Sequence, residues 1–400
     1  MTILSAELAA TPASGIRALA NAAWAVPDAI HLELGEPDLP TPAHVVAAAD
    51  AAARAGRTGY GPSVGLPELR GAAVAKLARD NGLTDATVDQ VVVTAGGVGA
   101  LFAAYRTLLS AGDEVLVPDP GWANFVGLAT VLGATARGYR LDPDANFDPD
   151  YDHLDALRGP RTRAIVVNSP SNPVGFQWTA AQLARLGEWA ARHGIVVISD
   201  ECYDQLWLDT PAVSFAAAAP DVPSVTVFSL SKSYAMTGWR VGYAVAAPDL
   251  AAGLARFQET TASCVNTVAQ HAAIAALTGD QGCVAAMRDR YRSRRDAALP
   301  RLDRLGLTSV RPAGAFYLWL RVTDGGVDTG PLALDLLRAT GTALAPGTAF
   351  GSRGADHLRL SLAAPDADVV RGLENLAAFL ADPGRREPPS QPRPRITPHP

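Results

Sequence analysis

Between residues 90 and 245 the chain keeps returning to one unit: a short run of aliphatic residues, a turn carrying Gly, Pro or Asn, and a helical stretch. The runs are Gln90-Val-Val-Val-Thr94, Glu114-Val-Leu-Val117, Ala164-Ile-Val-Val167, Ile195-Val-Val-Ile198 and Ser224-Val-Thr-Val-Phe228. A strand that is apolar at successive positions is buried on both faces, the condition of a parallel sheet covered by helices on each side. The recurrence predicts an α/β fold with a mostly parallel sheet. At 400 residues the chain exceeds one ordinary core and suits two domains.

Open α/β sheets bind ligands beyond the C-terminal ends of their strands, so the residues just after these runs are the candidates. Gly96-Gly97-Val98-Gly99 follows the first run and opens a helix, whose free N–H groups and dipole favour an anion. Gly97-Val98-Gly99 begins a dinucleotide fingerprint, but Phe102 stands where the third glycine belongs; a phosphate monoester is expected there instead of a nicotinamide dinucleotide. Pro118-Asp-Pro-Gly-Trp122 closes the second run in a rigid turn, and its indole can stack on a flat heteroaromatic ring. Asn172, before Pro173, can donate its amide to a phenolate oxygen. Asp200 ends a continuous apolar run, where a carboxylate without a cation is costly, and Tyr203 follows three positions on.

Lys232 lies in Ser229-Leu-Ser231-Lys232-Ser-Tyr-Ala-Met-Thr-Gly-Trp-Arg240-Val-Gly-Tyr243, in what reads as a loop after a strand. A lysine held among hydroxyls and not carboxylates can have a depressed pKa and attack carbonyls as an amine. Further on, His357-Leu-Arg359-Leu-Ser-Leu362 alternates charge with leucine, so Arg359 projects from one strand face with a fork suited to a carboxylate. Singly, each residue has an ordinary reading: a solvated lysine, a core tryptophan, a strand-end carboxylate.

Together they resemble the class I/II aminotransferase family of fold-type-I pyridoxal-phosphate enzymes, the aspartate aminotransferase superfamily. The 229–243 run looks like that family's Schiff-base segment, and Asp200 lies at the expected distance of 32 positions before the lysine. The likeness extends over roughly residues 12–382. It implies a large domain with a mostly parallel seven-stranded sheet between helices, over 45–285, and a smaller α+β domain over 286–383. Residues 1–44 would form an N-terminal arm and part of the small domain, and 384–400 a disordered tail.

The resemblance also implies the cofactor and its holders. Pyridoxal 5'-phosphate would be joined to Lys232, with its phosphate on Arg240, Ser229, Ser231 and the Gly97, Val98 and Gly99 amides. Asp200 would hold the ring nitrogen, Asn172 and Tyr203 the ring oxygen, and Trp122 would stack on the ring. Tyr60 would reach the phosphate from a second subunit, making a homodimer. Gly35, Trp122, Asn172 and Arg359 would contact the substrate, Arg359 taking the α-carboxylate. The implied reaction moves an amino group from an L-amino acid to a 2-oxo acid, with Lys232 transferring the Cα proton. A C–S β-lyase, a decarboxylase or an oxygen-dependent deaminase on the same site is the alternative. A subgroup that prefers aspartate carries lysine just after the glycine pair; Val98 stands here, so a neutral aliphatic or aromatic donor is expected over aspartate.

The net charge of −6 and the lack of a basic arm argue against nucleic acid, and the roughly 44 residues before the first long helix show no helix-turn-helix pattern. Cys202, Cys264 and Cys283 are too scattered for a disulfide framework or a zinc site, and no metal is expected. No secretory signal and no apolar run of about 20 residues is present, which points to the cytoplasm and to no membrane. Residues 1–44 read as irregular with a short helix at most, and Gln258–Asn266 as a polar connection. The segment Cys283–Leu305 reads as a helix whose Arg288, Arg290, Arg292, Arg294 and Arg295 form a solvated face.

Overall fold

The structure, a computed structural model, describes residues 3–382; the tail expected over 384–400 lies outside the described residues. The repeated unit forms one seven-stranded sheet. Its strands are β1 (Val91–Thr94), β2 (Glu114–Asp119), β3 (Thr135–Arg140), β4 (Thr162–Asn168), β5 (Val196–Asp200), β6 (Ser224–Ser229) and β7 (Gly242–Ala246). The spatial order is β1-β7-β6-β5-β4-β2-β3. Only β7 runs antiparallel to its neighbours β1 and β6; the other pairs are parallel. The sequence reading lacked β7 and β3; β3 is an edge strand whose side chains mostly face solvent and so leave no apolar run.

Both faces of the sheet are covered, which accounts for the continuous apolar runs. Val115, Val117, Ala164, Val166 and Ile198 pack on one face with helix Gly96–Leu108 and helix Pro248–Ala262. The alternate residues Leu116, Ile165, Val167 and Val197 pack on the other with helix Ala180–Arg192. A fully buried side chain of this size contributes about 1.5–3 kcal/mol relative to exposure.

A second, four-stranded antiparallel sheet orders Ala345–Pro346, His357–Ser361, Tyr317–Arg321 and Thr308–Ser309. Ile30–His31 pairs in parallel with Thr342–Ala343, which ties the N-terminal segment to this part of the molecule.

Three expectations are corrected. The first 44 residues contain two helices, Ala6–Ala10 and Gly15–Trp24. Ser14 caps the second by accepting the Arg17 N–H at 3.2 Å, and Leu19 and Ala23, one turn apart, bury its inner face. Gln258 is not in a connection: helix Pro248–Ala262 runs through it, with Ala251, Leu254 and Gln258 buried at helical spacing. In helix Gly282–Leu305, Arg294 and Arg295 are buried, at 6% and 1% exposure. Arg294 forks onto Asp38 at 2.7 and 2.9 Å and bonds Asp366 at 2.6 Å, while Arg295 pairs with Asp209 at 2.8 Å. These arginines fasten the long helix to the N-terminal segment and to the loop after β5.

Candidate active site

A cavity of about 450 Å³ opens where the C-terminal ends of the central strands face the small sheet and the N-terminal segment. Strand register decides what meets there. Asn168 pairs with Asp200 across β4 and β5. Ser229 and Thr94 both pair with Gly242, which brings the turn after β1 level with the turn after β6.

At that end, helix Gly96–Leu108 begins with backbone N–H groups that have no earlier carbonyl to bond. Gly96 has φ +75°, and a Cβ on it would collide with the Arg240 guanidinium. Arg240, itself at φ +56°, donates to the Thr237 carbonyl at 2.9 Å, the Ala95 carbonyl at 3.2 Å and the Ser231 hydroxyl at 3.5 Å. Ser229 accepts the Ser231 N–H at 3.2 Å and so caps a one-turn helix, Leu230–Ser233. Lys232 therefore sits on a helical turn and not in a loop. An arginine, two hydroxyls and a helix N-terminus converging on one spot suit a phosphate dianion. Gly97 and Val98 line the cavity; Gly99 lies deeper in the helix, against Thr94 and Ala95.

The Lys232 ammonium donates to the Gly35 carbonyl and makes no carboxylate ion pair among the described residues. Removal from water lowers its pKa from 10.5 to about 8; Cys202 and Glu36 oppose the shift, while Arg359 and Arg240 add to it. The Asp200 carboxylate is 4% exposed and accepts the Cys202 N–H at 3.2 Å. Burial pushes its pKa up, and it has no salt bridge among the described residues. A buried carboxylate that faces a cavity with only neutral donors is matched by a protonated ring nitrogen. This end of the cavity therefore fits a pyridine ring with an aldehyde and a phosphate.

The opposite wall carries Arg359, 2% exposed, on strand His357–Ser361. Its guanidinium donates to the Asn172 side-chain oxygen at 2.7 Å and to the Glu33 carbonyl, and it lies 4.3 Å from the centroid of the Tyr317 ring. Its Nε is buried with no partner, so the fork is held in place with donor capacity left over. Asn172 spends its oxygen on Arg359, which leaves its amide N–H groups for another acceptor. The Tyr203 and Tyr317 hydroxyls are 2.7 Å apart, and burial raises both of their pKa values. Gly35 passes so close to the Tyr317 hydroxyl that a Cβ would overlap it.

Trp122 lines the cavity edge-on to Phe125, with ring centroids 5.7 Å apart. Tyr60 does not reach the cavity within one chain; it is 94% exposed. Sequence reasoning missed Asn168, Cys202, Tyr317 and Arg17, all of which line the cavity. The strand-end position of Asn168, beside that of Asp200, was a usable signal; Tyr317 and Arg17 carry none.

Known proteins resemble this chain over most of its length. The family described as aminotransferase class I and II matches residues 27–376. The aspartate/prephenate aminotransferase of Thermus thermophilus is 37% identical over 362 residues, 88% of this chain and 91% of its own. An aromatic-amino-acid aminotransferase of Thermococcus litoralis is 30% identical over 384 residues, 95% of this chain and 98% of its own. The solved aspartate aminotransferase of Thermus thermophilus with maleate superposes with a TM-score of 0.89 at 36% identity, covering 95% of this chain and 100% of that one. The architecture and the cavity thus define a fold-type-I transferase that works with pyridoxal phosphate. The chain belongs to the class I and II aminotransferase family.

Proposed function

We propose that this aminotransferase takes a neutral aliphatic or aromatic L-amino acid as donor in preference to aspartate, and that its residues act as follows. Lys232 would hold the cofactor aldehyde and, as a free amine, would carry the proton from substrate Cα. Its pKa of about 8 leaves a useful fraction of free amine near neutral pH. Arg240, Ser229, Ser231 and the Gly97 and Val98 amides would hold the phosphate. Asp200 would keep the ring nitrogen protonated, Asn172 and Tyr203 would bond the ring oxygen, and Trp122 would pack on the ring. When bound, pyridoxal phosphate supplies the electron sink for the carbanion formed at Cα. Arg359 receives the α-carboxylate and so orients the Cα–H bond toward Lys232.

Lys232 and Asp200 carry the reading: both face one cavity, neither has an ion-pair partner among the described residues, and burial displaces both pKa values. The donor preference rests on Val98, which offers a side-chain carboxylate no charge at the helix N-terminus. Relatives are named for aspartate, prephenate and aromatic substrates, so they do not decide the side chain. The exposed Tyr60 and the exposed apolar side chains Ile3, Leu4 and Leu8 support a homodimer in which Tyr60 reaches the partner's phosphate site. The enzyme is assigned to the cytoplasm.

The test is the visible absorbance of the holoenzyme as single amino acids are added without any oxo acid. Loss of the cofactor band with one 2-oxo acid released per site is expected, at higher kcat/KM for leucine or phenylalanine than for aspartate. Comparable values for aspartate remove the donor preference. Accumulation of ammonia, sulfide or peroxide would assign a lyase or deaminase reaction instead.

A further inference from the structure

We propose that Glu33 is a positioning residue that acts through Arg359: it is the resident counter-ion of that buried fork and loosens its hold on a substrate α-carboxylate enough for product to leave. The inference rests on the reading above in which Arg359 takes the α-carboxylate. Amino transfer has two half-reactions, and each ends with a carboxylic acid leaving the same guanidinium. A buried arginine with no counter-charge would favour keeping each acid over releasing it.

Glu33 lies in an extended segment that continues strand Ile30–His31. The Leu32 N–H donates to the Ala343 carbonyl at 3.1 Å, and the Leu32 carbonyl accepts the Ser361 N–H at 2.8 Å. Leu32 is buried in the core of the small sheet, so alternation turns His31 and Glu33 to the opposite side. Arg359 takes that same side, between the core residues Leu358 and Leu360. The Glu33 carbonyl accepts from the Arg359 guanidinium. The Glu33 side chain is 0% exposed; its Oε1 bonds the His31 Nδ1 at 2.9 Å, and its Oε2 has no partner.

The mechanism does not use this carboxylate, and burying one with an orphan oxygen is costly unless a cation compensates it. Arg359 is that cation. Burial lowers the Arg359 pKa, and Tyr317, Tyr203 and Glu33 oppose the shift. Burial raises the pKa of both tyrosines, so they stay neutral near pH 7 and Glu33 brings the one carboxylate of the three. Among the described residues the two side chains form no direct ion pair. The carboxylate therefore takes none of the fork's donors, while its charge still acts on them.

Two readouts of opposite sign on the holoenzyme test this. The unreactive acid 4-methylpentanoate and its neutral amide are titrated by calorimetry into the wild type, Glu33→Gln and Glu33→Asp, and each protein is unfolded in urea. Removing the counter-charge should tighten binding of the acid about 3- to 30-fold in E33Q and leave the amide within about twofold. The urea midpoint of E33Q should fall, because a buried cation has lost its compensation. E33D keeps the charge and should bind the acid within about threefold of wild type. In turnover, E33Q should lower KM for donor and acceptor alike with no rise in kcat, since the carboxylate is bound equally in ground and transition states. A merely structural role would lower affinity and stability together, so unchanged or weaker binding of the acid in E33Q overturns the proposal. In an Arg359→Ala background, Glu33→Gln should instead raise the urea midpoint, because it removes a carboxylate left without its cation; a fall there also overturns it. Failure of the underlying reading would look different: Arg359→Ala alone would leave the affinity for the acid unchanged.

Discussion

Lys232 and Arg359 face the same cavity from walls that are assembled in different ways. The Lys232 wall is built from strand ends within one sheet, where parallel register puts Asn168 beside Asp200 and the antiparallel β7 sets Ser229 level with the turn after β1. The Arg359 wall is built from contacts between distant segments. Arg359 bonds Glu33 across 326 positions and Asn172 across 187, and Lys232 reaches Gly35 across 197. The first wall is as rigid as the sheet core beneath it. The second depends on how the N-terminal segment and the small sheet sit over that core. Cofactor chemistry belongs to the first wall and substrate choice to the second, so substitutions should separate the two functions.

The largest effect is expected from Lys232→Ala. Removing the amine that holds the aldehyde and moves the Cα proton should lower kcat/KM by about 10⁴-fold. The visible spectrum should revert to that of cofactor not joined to the protein. Arg359→Ala is the matching change on the other wall. Truncating one partner of a buried charge pair costs about 2–5 kcal/mol, so kcat/KM should fall by about 1.5 to 3.5 powers of ten. The cofactor spectrum and its retention on gel filtration should be unaffected. Loss of bound cofactor from R359A would show that the two walls are one cooperative unit and would break the comparison.

How much could be read in advance follows the same division. The α/β class, the strand ends and the candidate residues of the Lys232 wall were legible because each is local: an apolar run, a turn, then a polar residue at a fixed offset. The edge strand β3 was not, since its side chains mostly face water and show no apolar run. Helix Gly15–Trp24 was hidden among alanines, whose spacing shows no clear face until Leu19 and Ala23 are seen buried. Arg294 and Arg295 looked like a solvated face because their partners Asp38 and Asp209 are far away in sequence. Arg359 could be singled out from its strand pattern, but Tyr317, which lies against it, could not. The ring contact is made across two antiparallel strands whose pairing no local pattern specifies.

The smallest effect on turnover, and the sharpest control, concerns Glu201. It is the residue next to Asp200, but it faces away from the cavity. Its carboxylate accepts the Ser199 hydroxyl at 2.9 Å, the Ser214 hydroxyl at 3.0 Å and the Phe215 N–H at 2.9 Å. Burial raises its pKa from 4.5 to about 7 in spite of those donors. Between these two values the folded state binds more protons than the unfolded chain, so this group's contribution to stability is full below pH 4.5 and declines as pH rises to 7. At pH 8 the ionised group costs the fold roughly 3 kcal/mol relative to its protonated form. Glu201→Gln keeps an acceptor oxygen for the three donors and cannot ionise. Its stability relative to wild type should therefore improve by about 1–3 kcal/mol between pH 5 and pH 8 in urea unfolding of the holoenzyme. Its kcat/KM should stay within about threefold, because the residue touches the site only through the backbone of Asp200. A difference that does not change with pH would mean that Glu201 is ionised at both values. A large loss of activity would mean that the Lys232 wall extends behind the strand as well as beyond its end.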